Sequence, residues 1–255
     1  MKTWIAFLVS AFLMFSLTAC GNATEENSET ESMPSVSQTQ ETEEPVSESG
    51  ESAASDSEEA VSGEPIEESS DMNMLVAYFS YAENAALPDG VDASATASIQ
   101  TWNGEITGNT GVVADMIAEA TGADLFSIQT VEQYPDSYDA TIDQGQEERN
   151  ADVRPELATH VENLDNYDVI FLGFPNWWGD MPMAMYSFLD EVDLSGKTIV
   201  PFVTSGGSGF SDTISTIESM ESGATVQEGL SISGSSATNA QEQVTEWLSE
   251  LGYME

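Results

Sequence analysis

From Met74 onward the apolar residues change period several times along the chain. Met74-Leu-Val-Ala-Tyr-Phe-Ser80 is a short, nearly continuous apolar run, the pattern of a strand covered on both faces. Similar runs occupy Leu125–Thr130, Val169–Phe174, Thr198–Thr204 and, with weaker patterning, Thr225–Ile232. Between them the apolar positions recur every three or four residues, which predicts helices over Thr110–Thr121, Arg154–Leu164, Met183–Val192, Phe210–Met220 and Ala240–Leu251. In the first of these Val113, Ile117 and Ala118 share a face, while Asp115 and Glu119 fall elsewhere. In the last, Val244, Trp247, Leu248 and Leu251 form the stripe, and Asn239 and Glu242 have the spacing of a capping box. Strands alternating with helices predict an α/β domain with a parallel sheet covered on both sides. Five strands suit the doubly wound order 2-1-3-4-5, in which a ligand binds at the carboxyl ends of the strands where the order reverses.

The chain before Met74 is different in kind. Trp4–Leu17 is apolar but shorter than the ~20 residues of a membrane-spanning helix, so it reads as a signal-peptide core. Leu17-Thr-Ala-Cys20 resembles a bacterial lipobox, in which the cysteine is acylated and becomes the mature N-terminus. An ordinary secretory signal with an incidental cysteine is the alternative. Cys20 is the sole cysteine, so no disulfide forms within one chain. Gly21–Asp71 holds 16 acidic residues, abundant Ser and Thr, and no basic or aromatic residue. Such a composition buries too little apolar surface to fold. The expected organisation is a signal peptide over residues 1–19, a lipidated, disordered acidic linker over residues 20–72 and one folded domain over residues 73–255. The linker serves as a spacer or as an acidic docking tail for a basic partner.

Charge narrows the partners. The sequence carries 46 acidic and 4 basic residues, and without the linker the folded part retains Arg149, Arg154 and Lys197 as its cations. A surface so negative repels phosphate backbones, which argues against nucleic acid. It steers basic protein partners instead, or merely maintains solubility.

The carboxyl ends of the predicted strands carry the candidate chemistry. Strand one ends at Ser80, and Thr107, Gly108, Asn109, Thr110 and Gly111 then open a helix, whose unpaired amides and dipole favour an anion. Strand three ends in Pro175, Asn176, Trp177, Trp178 and Gly179; strand four ends in Thr204, Ser205, Gly206, Gly207, Ser208 and Gly209. Each loop alone has a plain explanation as a helix cap, a core aromatic pair or a flexible turn. At one rim, they offer hydroxyls and amides for a phosphate, an aromatic plane for a flat heterocycle and backbone that approaches closely.

With the Tyr81–Ile106 insertion set aside, Ser80 and Thr107-Gly-Asn-Thr110 resemble the phosphate loop of flavodoxins, and residues 74–255 resemble a flavodoxin-like domain of bacterial lipoproteins. The resemblance implies a flavodoxin-like fold and non-covalent FMN. By it Ser80 and Thr107–Thr110 hold the phosphate, and Pro175–Gly179 lie beside the isoalloxazine. One tryptophan, with Trp178 favoured, stacks on the ring, and the amides of Thr204–Gly209 meet the pyrimidine edge. It implies a membrane-anchored, extracytoplasmic electron carrier with protein redox partners. An FMN-dependent oxidoreductase linking NAD(P)H and a quinone, or a flavin-free interaction module, are the alternatives. The insertion is read as a surface excursion turning at Pro88-Asp-Gly90, or as a flap whose Trp102 or Tyr81 shields the flavin.

Other chemistry finds little support. Arg149 and Arg154 follow Tyr134-Pro-Asp-Ser-Tyr138 and are expected to answer nearby carboxylates such as Glu147, Glu148 and Glu156; holding an anionic substrate is the alternative. A lone His160 builds neither a metal site nor a catalytic triad. No calcium-loop spacing is present, no Gly-Lys-Ser/Thr follows the glycine turn as a Walker-type phosphate loop requires, and no catalytic residue is assigned.

Overall fold

The computed structural model describes residues 72–88 and 98–254. The expected signal peptide, Cys20 and nearly all of the acidic linker lie outside the described residues, as do Asp89 and Gly90 of the expected turn.

The central sheet is parallel. β1 (Met74–Tyr78) pairs on one side with β4 (Asp124–Ser127) and on the other with β5 (Val169–Pro175), which pairs with β6 (Thr198–Ser205). The outer strand beyond β6 is in two pieces, β7 (Thr225–Val226) and β8 (Leu230–Ser233). Counting those pieces as one strand, the order is the expected 2-1-3-4-5. The break has a local cause: Ile199 pairs with Val226 but Phe202 pairs with Leu230, so the outer strand carries one extra residue opposite Pro201. Pro201 has no N–H to donate to a ladder. Gly229 passes so close that a Cβ there would lie 2.8 Å from the Pro201 carbonyl oxygen.

Burial explains the unbroken apolar runs. Every residue of β5 is buried, as is every residue of β6 after Thr198. One face of the sheet, through Val76, Phe171, Val200 and Phe202, packs on α2 (Asn109–Thr121) and α6 (Gln241–Glu250). The other face, through Leu75, Ala77, Ile170, Leu172 and Ile199, packs on α1 (Tyr81–Asn84), α4 (Met183–Glu191) and α5 (Thr213–Met220). α2 stops where Gly122, at φ +74°, turns its N–H back to the Ala118 carbonyl.

Two local expectations need correction. Arg154–Leu164 is not helical: Leu157 bridges to Thr130, and Ala158 N–H donates to the Gln129 carbonyl at 2.7 Å. The segment thus runs beside the continuation of β4, and tertiary pairing overrides its helical spacing. The helix of this region is α3 (Tyr138–Asn150), whose polar sequence buries only Thr141 and Gly145 and so carries almost no periodic signal. The Asn239–Glu242 capping box does not form, because Gly234–Asn239 winds into a 3₁₀ turn and α6 starts after Ala240.

The described parts of the insertion, residues 81–88 and 98–106, are not a plain excursion. They supply α1 and an antiparallel hairpin of β2 (Ile99–Trp102) and β3 (Glu105–Gly108). Asn103 and Gly104 make its two-residue turn, with φ of +51° and +89°, the pairing such right-twisted turns require.

Candidate functional site

The ends of β1, β5 and β6 bring the three predicted loops to one rim, and specific hydrogen bonds join them. Thr110 and Thr204 share a buried hydroxyl–hydroxyl bond of 2.8 Å, linking the first loop to the third. Asn176 links the second to the third: its N–H donates to the Thr204 carbonyl at 2.9 Å and its Nδ2 to the Gly209 carbonyl at 2.8 Å. Asn176 Oδ1 also accepts the Gly179 N–H, which fixes the turn that carries the tryptophans. Within the third loop, Ser205 Oγ accepts the N–H groups of Gly207 and Gly209, while Gly206, Gly207 and Ser208 face solvent.

At the first loop, Ser80 is 1% exposed and its Oγ has no hydrogen-bond partner among the described residues. An orphaned buried hydroxyl is unfavourable by about 1–3 kcal/mol, so it is the atom most in need of a ligand. It lies against Gly108, where a Cβ would stand 2.2 Å from it and 2.9 Å from the Ser98 carbonyl. Gly108 precedes α2, whose opening amides have no partners within the helix. This set of hydroxyl, glycine backbone and helix N-terminus fits a phosphoryl group.

Thr107 is placed differently from its neighbours. Its hydroxyl donates to Glu83 Oε1 at 2.6 Å, and the same carboxylate accepts the Tyr78 hydroxyl at 3.2 Å and the Ser127 hydroxyl through Oε2. Burial, with the Glu83 charge beside it, pushes the Tyr78 phenol well above its ordinary range, so it stays protonated as a donor. The hairpin reaches the cradle from another direction. The Ser98 carbonyl accepts the Asn109 N–H at 3.3 Å, and Gln100 Nε2 donates to Asn109 Oδ1 at 2.6 Å.

The aromatic end separates the two tryptophans. Trp177 meets Phe79 and Tyr134 edge-on at ring separations of 5.6 and 5.4 Å, as part of the core. Trp178, at φ +53° and 38% exposed, lies over α3, where a Cβ on Gly145 would touch its ring at 2.9 Å. Tyr81, Ser98, Tyr138, Thr141 and Ile142 complete a cavity of about 290 Å³ beside Asn176 and both tryptophans. Trp102 is not part of it: its indole N–H donates to Asp115 at 2.7 Å on the far side of the hairpin.

The arginines answer carboxylates and the lysine a carbonyl. Arg149 pairs with Asp180 at 3.3 Å, and Arg154 pairs with Asp152 and Asp190 at 2.7 and 2.6 Å, partners other than the expected glutamates. Lys197 Nζ donates to the Tyr167 carbonyl at 2.7 Å, and His160 pairs with Glu191. No cluster suited to a metal ion occurs among the described residues. Reading the sequence did not single out Glu83, Ser98, Gln100 or the α3 wall. The Asn103-Gly104 turn was the available signal for the hairpin that delivers Ser98 and Gln100.

A doubly wound α/β domain binds its ligands at such a rim, outside the carboxyl ends of the strands where their order reverses. A model of the flavodoxin family matches residues 103–251, more than half of the chain, and the chain belongs to that family. Among solved structures it is similar to a flavoprotein from Bacteroides eggerthii DSM 20697, with 25% identity, 70% of this chain and 96% of that one covered, and a TM-score of 0.53. A Bacteroides uniformis ATCC 8492 flavoprotein is 26% identical over 70% of this chain and 98% of its own, also with a TM-score of 0.53. The Lactobacillus acidophilus NCFM flavoprotein in complex with FMN is 20% identical over 67% of this chain and 99% of its own, with a TM-score of 0.47. No curated protein matches the chain by sequence.

Proposed function

We propose that this flavodoxin-family protein is an electron carrier that holds FMN non-covalently at the rim and works outside the cell membrane, tethered by lipid on Cys20. FMN is the cofactor that goes with the family, and when bound it supplies reversible electron transfer. The observation that carries the reading is the buried Ser80 hydroxyl, without a partner among the described residues, beside Gly108 and the start of α2. Ser80, Gly108, Asn109, Thr110 and Gly111 are the residues to hold the phosphate. Trp178 is the platform for the ring, because Trp177 is committed to the core. Pro175, Asn176 and Gly179 fix that platform, and the third loop, Thr204–Gly209, presents the solvent-facing backbone of Gly206–Ser208 to the ring edge.

The extracytoplasmic tether rests on Leu17-Thr-Ala-Cys20 and the acidic segment after it. Basic redox proteins are the partners such a negative surface favours. The experiment is anaerobic stepwise reduction of the FMN-loaded protein, followed by its visible spectrum. Reduction in two resolved one-electron stages supports the carrier. Rapid turnover with NAD(P)H and a quinone, passing in a single two-electron stage, supports the oxidoreductase alternative instead. Incorporation of labelled palmitate into the wild type but not into Cys20→Ser tests the tether.

A further inference from the structure

Each cation among the described residues is engaged away from the cradle: Arg149 with Asp180, Arg154 with Asp152 and Asp190, and Lys197 with the Tyr167 carbonyl. Nothing positive therefore balances a phosphate at the start of α2 except the helix dipole and hydrogen-bond donors. One negative group already stands there. Glu83, brought by α1 of the insertion, holds the Thr107 hydroxyl at 2.6 Å, and its Oε1 would lie 2.7 Å from a Cβ on Gly111, in the first turn of α2. The Tyr78 and Ser127 hydroxyls also donate to it, so three hydroxyls fix the carboxylate at one flank of the helix N-terminus. The orphaned Ser80 hydroxyl marks the place left for a ligand anion next to Gly108.

We infer that Glu83 is a specificity-determining residue of the cofactor site: a fixed negative charge at the helix end that a phosphate must share, and that weakens the preference for FMN over phosphate-free riboflavin. The inference rests on the FMN reading above. Like charges near one helix terminus repel in a partly screened environment, and the dipole that favours either anion alone is divided between them. Glu83 also reserves the Thr107 hydroxyl, so the phosphate is left with Ser80, Thr110 and backbone amides. A neutral glutamine at position 83 keeps Oε1 as the acceptor for the Thr107 and Tyr78 hydroxyls, donates through Nε2 to the Ser127 hydroxyl oxygen, and removes the charge.

The test titrates the full-length protein with FMN and, separately, with riboflavin, following quenching of flavin fluorescence at several salt concentrations. For Glu83→Gln the expected result is FMN bound about tenfold more tightly, with riboflavin changed by less than about twofold. Glu246→Gln, which removes an exposed carboxylate on α6, leaves the FMN-to-riboflavin ratio within about twofold of wild type, as expected for a screened surface charge. Equal shifts for both flavins, or weaker FMN binding, would overturn the inference while leaving the FMN reading intact. If Glu83→Gln disturbs folding, Glu83→Ala takes its place: the FMN-to-riboflavin affinity ratio is expected to rise about tenfold, and an unchanged or lowered ratio overturns the inference. Failure of the wild type to bind either flavin overturns the FMN reading and the inference together.

Discussion

The two ends of the rim solve opposite problems. The cradle end, around Ser80, Gly108 and Thr110, is small, polar and braced by the insertion through Ser98, Gln100 and Glu83. The aromatic end, around Trp177 and Trp178, is large and apolar, with one half-buried ring packed edge-on against the core and the other laid on α3. At the first end a ligand is needed to complete a hydrogen bond. At the second, a surface is offered whose neighbours are already satisfied. The difference teaches that affinity for the phosphate depends on space and donors, while affinity for the ring depends on a plane that can be removed without loss of the fold.

The sharpest way to break this contrast is at Gly108. Gly108→Ala places a methyl group 2.2 Å from the resting position of Ser80 Oγ, so the cradle must open. FMN affinity is expected to fall about a hundredfold, consistent with losing several charge-assisted hydrogen bonds, while far-UV circular dichroism stays unchanged. Trp177→Ala attacks the fold instead. Its contacts with Phe79 and Tyr134 make a loss of about 3 kcal/mol in urea unfolding the expected outcome. Trp178→Ala should separate the two ends: about tenfold weaker FMN binding from lost stacking, with the unfolding midpoint nearly unchanged.

The smallest effect lies away from both ends. Glu221 is buried after α5, and burial raises its carboxyl above the ordinary range. A raised folded-state pKa means the contribution of this group to stability is full below the ordinary carboxylate range and is lost as pH rises through the raised value. Glu221→Gln is therefore expected to raise the thermal midpoint slightly at pH 7, with the advantage shrinking as the pH is lowered, and to leave FMN affinity unchanged. A shift in affinity would show that the rim is coupled to this distant end of the helix.

How much of this was legible in the sequence follows the same division. The strands were readable because helices cover both faces of the sheet, so Val169–Pro175 and its neighbours are apolar without interruption. The rim loops were readable because they sit at strand ends. α3 was not, since a helix burying little more than Thr141 and Gly145 leaves no stripe. The false helix at Arg154–Leu164 arose because Leu157, Val161 and Leu164 keep helical spacing although the chain there pairs with Thr130 and Gln129. The bracing of the cradle was also hidden. Glu83 and Thr107 are distant in sequence, and only the hairpin closing Ile99 onto Gly108 shows which residues of the insertion return to the site.

The most direct test of the central claim is to load the purified full-length protein and its Gly108→Ala variant with FMN, desalt both, and measure retained flavin by visible absorbance. Close to one flavin per wild-type chain and almost none on the variant is the expected result. A wild-type protein that emerges colourless, or a variant that retains as much flavin as the wild type, would contradict it.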